Sequence, residues 1–159
     1  MEYSIDFADR LIEAAESFKE RSQPGEEANR AVLYLSLLSC EISLKAVLEK
    51  AGFTTEHLRK RSHNLNDLLG DLCRCEIMDE KAKRWVSGAH LMSVSPIPEA
   101  ELATVGRLLD AENDGASKYP NSIRYGDLIK HYDSVYLLSC AKAVAKWVRE
   151  NMDAIRQRP

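Results

Sequence analysis

The sequence predicts an all-α protein: a single up-and-down helical bundle of four to five main helices with short extra helices, spanning residues 1–159. Three observations support this fold class. Leu, Ala, Glu, Lys and Arg are abundant, while Gly and Pro number only 7 and 5, which favours helices. Apolar residues recur at steps of three and four along most of the chain. No alternation of apolar and polar residues is long enough to predict a strand.

Two long helices are predicted in the first third of the chain. The first covers about residues 4–22, and the turn-forming stretch "SQPGEE" ends it. The second runs from about Glu26 to Lys50, with Gly52 placed as its stop. A helix of that length spans roughly 37 Å, so it is predicted to be the spine of the fold.

Shorter helices are predicted in the middle of the chain. One begins at about Thr55 and another at about Asn64, the second with a leucine-rich inward face. Asp79 is predicted to cap a further helix that carries Ala82, Trp85, Val86 and Ala89. The proline-containing loop "SVSPIPEAEL" then leads into a helix that ends at the turn-rich "ENDGASKYPNS".

The last helix has the clearest pattern. Apolar positions step by threes and fours over nearly eight turns. The residues of this stripe are Leu128, His131, Val135, Leu138, Ala141, Ala145, Val148, Met152 and Ile155.

Length, charge and cysteine content narrow the classes of protein. A domain of 159 residues buries roughly 70% of its unfolded surface and needs neither metal nor disulfide to fold, so no cofactor is expected. No apolar run of about 18 residues and no signal-peptide pattern are found, so we expect a cytoplasmic protein without a membrane partner. Cys40 and Cys140 lie in apolar helical stretches and are predicted to be buried thiols. The net charge of -3 argues against a nucleic-acid-binding protein whose whole surface is basic, but it permits a local basic patch.

Glu41 and Lys45 are an unusual pair, because they lie one turn apart within the largely apolar stretch "YLSLLSCEISLKAVLEK". One interpretation is an ion pair at the edge of the core, with the Lys45 ammonium group in water. The alternative is a polar pocket or dimer seam where both charges meet a ligand or a partner, since unpaired charges among apolar neighbours cost several kcal/mol.

A second feature is the cluster of positive charge in "HLRKRSHNLNDLL". Arg59, Lys60 and Arg61 lie between His57 and His63 and are candidate phosphate contacts for a nucleic acid. A solvated helix end explains the same charges, because cations favour the negative end of the helix dipole.

A third feature is "YPNSIRYGDLIKH", in which Arg124 precedes His131 by seven positions. On a continuous helix the two would share a face about 10 Å apart, but Gly126 interrupts that continuity. His131 is either a satisfied core histidine or a catalytic residue that exchanges protons while Arg124 steadies a phosphate. Phosphate-binding glycine loops, nucleophile elbows and paired metal-binding histidines are not found in the sequence.

The order of these features resembles the HEPN domains (higher eukaryotes and prokaryotes nucleotide-binding), in particular the stand-alone prokaryotic members. "LLSCEISLKAVLEKAG", "RSHNLNDLL" and "KYPNSIRYGD" before a long last helix carry the resemblance, which spans about residues 25–150. It implies a helical bundle that commonly forms a homodimer and binds nucleotides or RNA. It also implies a nucleotidyltransferase or an antitoxin as a protein partner.

Three functional hypotheses follow. The first is a nucleotide- or RNA-binding protein of prokaryotic defence or toxin–antitoxin systems, with a ligand site formed by Glu41, Lys45, His63, Arg124 and Tyr125. The second is a metal-independent endoribonuclease that uses Arg124 and His131, as the resemblance to the nuclease members implies. Tyr125 departs from the pattern of those nucleases, which carry a small polar residue or histidine after the arginine. The third is a structural or regulatory dimerisation bundle that binds no ligand.

Overall fold

Three long helices enclose the core of the protein: α1 (Ile5–Glu20), α2 (Glu26–Lys50) and a C-terminal helix (Ser134–Asn151). The computed structural model describes residues 1–20, 25–111, 119–124 and 133–159. Helix α2 packs against both of the other long helices, as expected for the predicted spine. It is long and apolar enough to cross a membrane, with a mean hydropathy of 1.7, yet 72% of that window is buried inside the fold. It therefore has the burial of a core helix in a soluble protein.

Short helices α3 (Thr55–Lys60) and α4 (Leu65–Leu72) follow α2 and confirm the predictions made for this part of the chain. Each begins at a side-chain cap. The Thr54 hydroxyl accepts the N–H of His57 at 3.2 Å, and the Asn64 carbonyl oxygen accepts the N–H of Asp67 at 3.1 Å. These caps fix the start of both helices and therefore the turn between them.

The prediction of an all-α fold is wrong in one respect, because a three-stranded antiparallel sheet lies beside the helices. Its strands are β1 (Cys75–Asp79), β2 (Arg84–Ser87) and β3 (Ile155–Gln157), in the order β2-β1-β3. In the register, Ile77 lies opposite both Val86 and Ile155. The inner face of the sheet closes the core.

The helix predicted to start at Asp79 is therefore a β-hairpin. Asp79 closes its turn instead of capping a helix, because Oδ1 accepts the backbone N–H groups of Lys81 and Ala82 at 3.0 Å each. Lys83 completes the turn with a φ of 49°. The apolar spacing from Ala82 to Ala89 fits a helix, but antiparallel pairing with β1 favours the strand. On its other edge β1 pairs with β3, from the far end of the chain.

Three short helices lie between β2 and the C-terminal helix. They are a 3₁₀ helix (Gly88–Ser93), α5 (Val105–Ala111) and α6 (Tyr119–Arg124), and the C-terminal helix is numbered α7 (Ser134–Asn151). Leu102, where the proline-containing loop is predicted to pass into a helix, is 74% exposed and lies before α5. Within the described ranges only α1, α2 and α7 exceed eight residues, fewer than the four to five main helices predicted.

The last helix is shorter than predicted at its C-terminal end. Asp133 caps α7 through the N–H of Val135 at 2.8 Å, and the helix ends at Asn151. Ile155, predicted on the helical stripe, pairs with β1 instead because the chain reverses after Met152. Leu128 and His131 lie outside the described residues.

Candidate functional site

The carboxylate of Glu41 is the centre of a buried polar network that joins three elements. Its Oε1 accepts a hydrogen bond from Lys45 Nζ at 2.7 Å. Its Oε2 lies 2.9 Å from His63 Nδ1 and also accepts the hydroxyl proton of Tyr119. The side chains of Glu41 and Lys45 are only 4% and 6% exposed. Both carboxylate oxygens are therefore satisfied by protein groups, as a buried charge requires.

Lys45 is bound by more than its ion pair. Its ammonium group also donates to the carbonyl oxygen of Ser62 at 2.7 Å and lies 5.4 Å from the centre of the Tyr3 ring. Ser62 has a φ of 51°, an unfavourable left-handed conformation for serine, in the turn between α3 and α4. The buried ion pair thus holds this turn on α2 through two successive residues, Ser62 and His63.

Tyr119, on α6, is the third residue that binds the Glu41 carboxylate. It is fully buried, and the centre of its ring lies 6.2 Å from that of Tyr34. Its ring meets the His63 imidazole edge-on, with the ring centres 5.7 Å apart and an angle of 78° between the ring planes. Burial, and then the negative charge of Glu41, raise the pKa of the Tyr119 hydroxyl far above its usual value. The hydroxyl therefore stays protonated and acts as a permanent donor to Glu41.

His63 is the accessible member of the network, with 48% of its side chain exposed. An ionised carboxylate only accepts hydrogen bonds, so Nδ1 of the imidazole carries the proton that faces Glu41. Nε2 has no hydrogen-bond partner in the part of the chain that the structure describes. A neutral His63 therefore offers a fixed acceptor at Nε2, and a protonated His63 offers a positive N–H donor. Both states suit contact with a phosphate or a hydroxyl group.

This geometry corrects one interpretation of Glu41 and Lys45. The Lys45 ammonium group does not extend into water from the edge of the core, because burial and three neighbouring groups hold it inside. Neither charge needs a partner subunit, since each is paired within one chain. The two residues also do not line an open groove, so a ligand here would meet His63 while Glu41 and Lys45 support it.

Arg124 lies apart from this network. Tyr119 and Arg124 are the first and last residues of α6, about 7.5 Å apart along the helix axis. The carbonyl oxygen of Arg124 accepts a hydrogen bond from Arg30 Nη2 at 3.2 Å, and its own side chain is exposed. Tyr125 and His131 lie outside the described residues, so the predicted pairing of Arg124 with His131 stays a prediction.

The basic patch around α3 is largely neutralised by ion pairs. Arg59 pairs with Glu2 at 2.9 Å, and Lys60 pairs with Glu56 at 2.8 Å. Both pairs are exposed and therefore weak. Arg61 differs, because its guanidinium group forms a bidentate pair with a buried carboxylate. Its charge serves the fold, which leaves Arg59 and Lys60 as the cations of this patch that a nucleic acid could reach.

The partner of Arg61 is Asp71, which the sequence did not single out. Arg61 binds both oxygens of this fully buried carboxylate at 2.7 and 2.8 Å, and His57 Nε2 lies 2.7 Å from Oδ2. Burial raises the pKa of Asp71, but the hydrogen bonds from Arg61 and His57 outweigh burial and lower it overall. Arg74 Nη2 adds a second guanidinium group at 3.1 Å. In the sequence, the signal for this cluster is one acid with two arginines and a histidine within fourteen positions of it.

The cysteines occupy the positions predicted for structural thiols. Cys40 and Cys140 are free and fully buried, on α2 and α7 respectively. A hydrogen bond with Cys140, and then burial, raise the pKa of the Cys40 thiol. A raised pKa lowers the thiolate fraction and therefore the reactivity of this sulfur.

Comparison with protein-family models, curated proteins and solved structures finds no match to this chain.

Proposed function

We propose that this chain is a HEPN-like nucleotide- or RNA-binding helical protein that acts with a partner in a prokaryotic defence or toxin–antitoxin system. The motif order of the sequence suggests the family. The observation that carries the binding proposal is the half-exposed imidazole of His63, held in one orientation by Glu41 Oε2 at 2.9 Å and by the edge of the Tyr119 ring. A polar group that is already held in one orientation loses little conformational freedom when the ligand binds, so the entropic cost of binding is lower.

Arg124 extends the proposed site toward a second phosphate. Its exposed guanidinium group forms no ion pair within the described residues, so it is free to bind an anion. Tyr119 connects it to His63, because Tyr119 contacts the imidazole and begins the short helix that Arg124 ends. A ligand with adjacent phosphates, such as a nucleotide or an RNA strand, could contact both residues. In this proposal the protein acts in the cytoplasm as a homodimer, with a nucleotidyltransferase or antitoxin as its partner.

Binding is measured with two probes, fluorescein-labelled single-stranded RNA followed by anisotropy and ATP followed by calorimetry, from 50 to 300 mM salt. We expect salt-dependent binding of at least one probe. His63→Ala and Arg124→Ala should each weaken it severalfold, and Arg124→Ala should reduce the slope of log K against log salt by about 0.7–1.

Arg107→Ala is the matched control, because Arg107 is also an exposed arginine on a short helix. It should bind like the parent protein. Unchanged thermal midpoints will show that the variants are folded. Absence of binding to both probes at 50 mM salt would contradict the proposal.

A metal-independent endoribonuclease is the second candidate. The exposed side chain of Arg124, which forms no ion pair with the residues that the structure describes, favours it. In this mechanism Arg124 steadies the phosphate while His131 takes the proton of the attacking 2′-hydroxyl group. The 2′-oxygen bonds to phosphorus, the bond from phosphorus to the 5′-oxygen breaks, and the departing 5′-oxygen receives a proton. RNA should be cut in the presence of EDTA to give cyclic phosphate ends, and His131→Ala should abolish cleavage while the protein stays folded. Cleavage that survives His131→Ala would refute this assignment. If neither binding nor cleavage is found, a structural bundle is the remaining account of the chain.

A further inference from the structure

The two edges of the three-stranded sheet differ. At the β3 edge, the N–H of Gln157 donates to the carbonyl oxygen of Ala51 at 3.3 Å, so the C-terminal end of α2 occupies that side. At the β2 edge, no element of the described chain pairs with the outer side of the strand. An open strand edge presents backbone donors and acceptors on which a further strand can form.

The pairing of β1 shows which backbone groups of β2 are free. The N–H of Met78 donates to the Ala154 carbonyl oxygen at 3.0 Å, so the backbone groups of Met78 face β3. Met78 lies opposite Trp85, and opposite residues of an antiparallel pair exchange either both hydrogen bonds or none. The N–H and C=O of Trp85 therefore point outward, and Ser87, two positions further on, has the same orientation.

Three of these outward groups are available. The carbonyl oxygen of Ser87 serves the 3₁₀ helix, because Ser87 is the N-cap of that helix. The N–H and C=O of Trp85 and the N–H of Ser87 have no hydrogen-bond partner among the described residues. Trp85 is itself 37% exposed, so this part of the strand is open to solvent.

The order of these groups selects the kind of partner. The two N–H groups lie about 6.8 Å apart along the strand, with the Trp85 carbonyl oxygen between them. A peptide strand offers both acceptors and donors at this repeat, whereas a phosphate diester only accepts hydrogen bonds. The free groups of Trp85 and Ser87 therefore fit an extended peptide better than a nucleic acid.

The chain segment that contains β2 carries positive charge and no acid. Residues 81–98 include three Lys and Arg residues but no Asp or Glu. Lys83 immediately precedes β2 and Arg84 begins it, and neither forms an ion pair with a described residue. Asp79 and Glu80 lie on the β1 side of the turn, one strand spacing of about 4.8 Å further from the open edge.

The other carboxylates near the sheet have cationic or backbone partners. Glu76, Glu150 and Asp153 each lie at most 3.9 Å from a Lys or Arg nitrogen. Asp79 Oδ1 accepts two N–H groups of the turn. The charges nearest to the β2 edge are therefore positive. They favour an acidic strand and disfavour the pairing of two copies of this edge, whose cations would repel each other.

We propose that the β2 edge docks an extended, acidic segment of a partner protein, which pairs with Trp85 and Ser87 as a fourth strand of the sheet. Hydrogen bonds to the three free backbone groups would set the register of the segment, and Lys83 and Arg84 would attract its carboxylates. This inference rests on the part of the proposed function that gives the chain a protein partner. It does not involve ligand binding at His63.

Ser87 allows the edge to be blocked by a single substitution. Its φ is -65°, the value that a proline ring fixes, so Ser87→Pro removes the outward N–H while keeping the backbone and the bonds to β1. Ser87→Ala is the matched control, because it loses the same hydroxyl cap on the N–H of Ala89 but keeps its own N–H. Lys83→Glu/Arg84→Glu reverses the charge beside the edge.

The probe is a fluorescein-labelled nine-residue peptide in which glutamate alternates with valine, and a companion peptide has lysine in place of glutamate. Binding is followed by anisotropy at 50 mM salt. We expect the glutamate peptide to bind about tenfold more tightly than the lysine peptide, and Lys83→Glu/Arg84→Glu to reverse this preference. Ser87→Pro should weaken binding of the glutamate peptide about fivefold, whereas Ser87→Ala should change it less than about twofold.

Amide hydrogen exchange measured by NMR shows where the peptide pairs. Saturation with the glutamate peptide should slow exchange of the Trp85 and Ser87 amides about tenfold, while the Gln157 amide, which is already bonded, should not change.

The remaining outcomes would overturn the inference. They are no binding of the glutamate peptide up to about 1 mM, binding that Ser87→Pro leaves intact, and equal affinity for the two peptides. Protection of the Trp85 and Ser87 amides that rises with protein concentration in the absence of peptide would identify a second copy as the occupant. The ATP and RNA titrations with His63→Ala decide the proposed ligand binding separately, so failure of the docking surface and failure of the ligand site are distinguishable.

Discussion

The buried pair of Glu41 and Lys45 should behave very differently from an ordinary helix ion pair. Both side chains are at most 6% exposed, and the two atoms of the pair lie 2.7 Å apart. Breaking such a pair leaves one charge uncompensated in the core, which costs about 3–5 kcal/mol of unfolding free energy. We therefore expect Glu41→Gln and Lys45→Met each to destabilise the protein by that amount.

The double variant should be much milder than the sum of the single variants. It removes both charges, and the glutamine oxygen can still accept the Tyr119 hydroxyl. Replacing both members of a buried pair is often nearly neutral, so we expect a loss below about 2 kcal/mol. The interaction energy from the double-mutant cycle should then be about 4 kcal/mol or more.

The assay is urea unfolding followed by circular dichroism, with the slope of free energy against urea checked for each variant. Lys60→Met is a matched control, because Lys60 and Glu56 have the same spacing along a helix and a similar distance of 2.8 Å but are 74% and 79% exposed. It should change stability by less than about 0.5 kcal/mol. Losses below about 1 kcal/mol in both single variants would refute the account of a buried, mutually dependent pair.

Two further predictions concern the surroundings of this network. The pKa of Asp71 in the folded protein is lower than its ordinary value of 3.8. The ionised carboxylate therefore stabilises the fold at every pH above 3.8, and this contribution is lost as the pH falls through the folded-state pKa. Asp71→Asn should therefore cost about 2–3 kcal/mol at pH 7 and flatten the acid limb of the stability profile; an unchanged acid limb would contradict the assignment. A Cβ at Gly88 would lie 2.6 Å from the Leu72 carbonyl oxygen, so Gly88→Ala should destabilise by about 1–3 kcal/mol. Gly70→Ala, with no atom within 4 Å and a helical backbone, should instead stabilise by about 0.5–1 kcal/mol. Equal effects of the two glycine substitutions in urea unfolding would show that the close contact at Gly88 does not matter.

The local features of the helices could be predicted from sequence because they depend on neighbours in the chain. Helix α2 matches its predicted bounds, Glu26–Lys50, since a long apolar stretch and Gly52, with a φ of 103°, mark its extent. Thr54 and Asn64 cap α3 and α4 through groups three residues away. Such signals need no knowledge of the tertiary structure.

The sheet could not be predicted in this way, because its stability depends on residues far apart. Residues 82–89 have helical apolar spacing, yet Trp85 and Val86 are in β2, and the sheet includes β3 from near the C-terminus. Ile155 fits the helical stripe of α7 equally well by spacing. Pairing with Ile77, 78 positions earlier, gives it a different structure.

The candidate site likewise combines features that follow from local sequence with features that depend on distant residues. Residue spacing alone places Glu41 and Lys45 on one helix face and His63 in the turn region that follows. Spacing could not show that both charges are buried, that Tyr119 donates to Glu41 across 78 positions, or that His63 is the accessible residue of the network. Nor could it show that Arg61 pairs with Asp71. Burial and charge pairing depend on which distant segments pack together, whereas spacing along a helix depends on the local backbone.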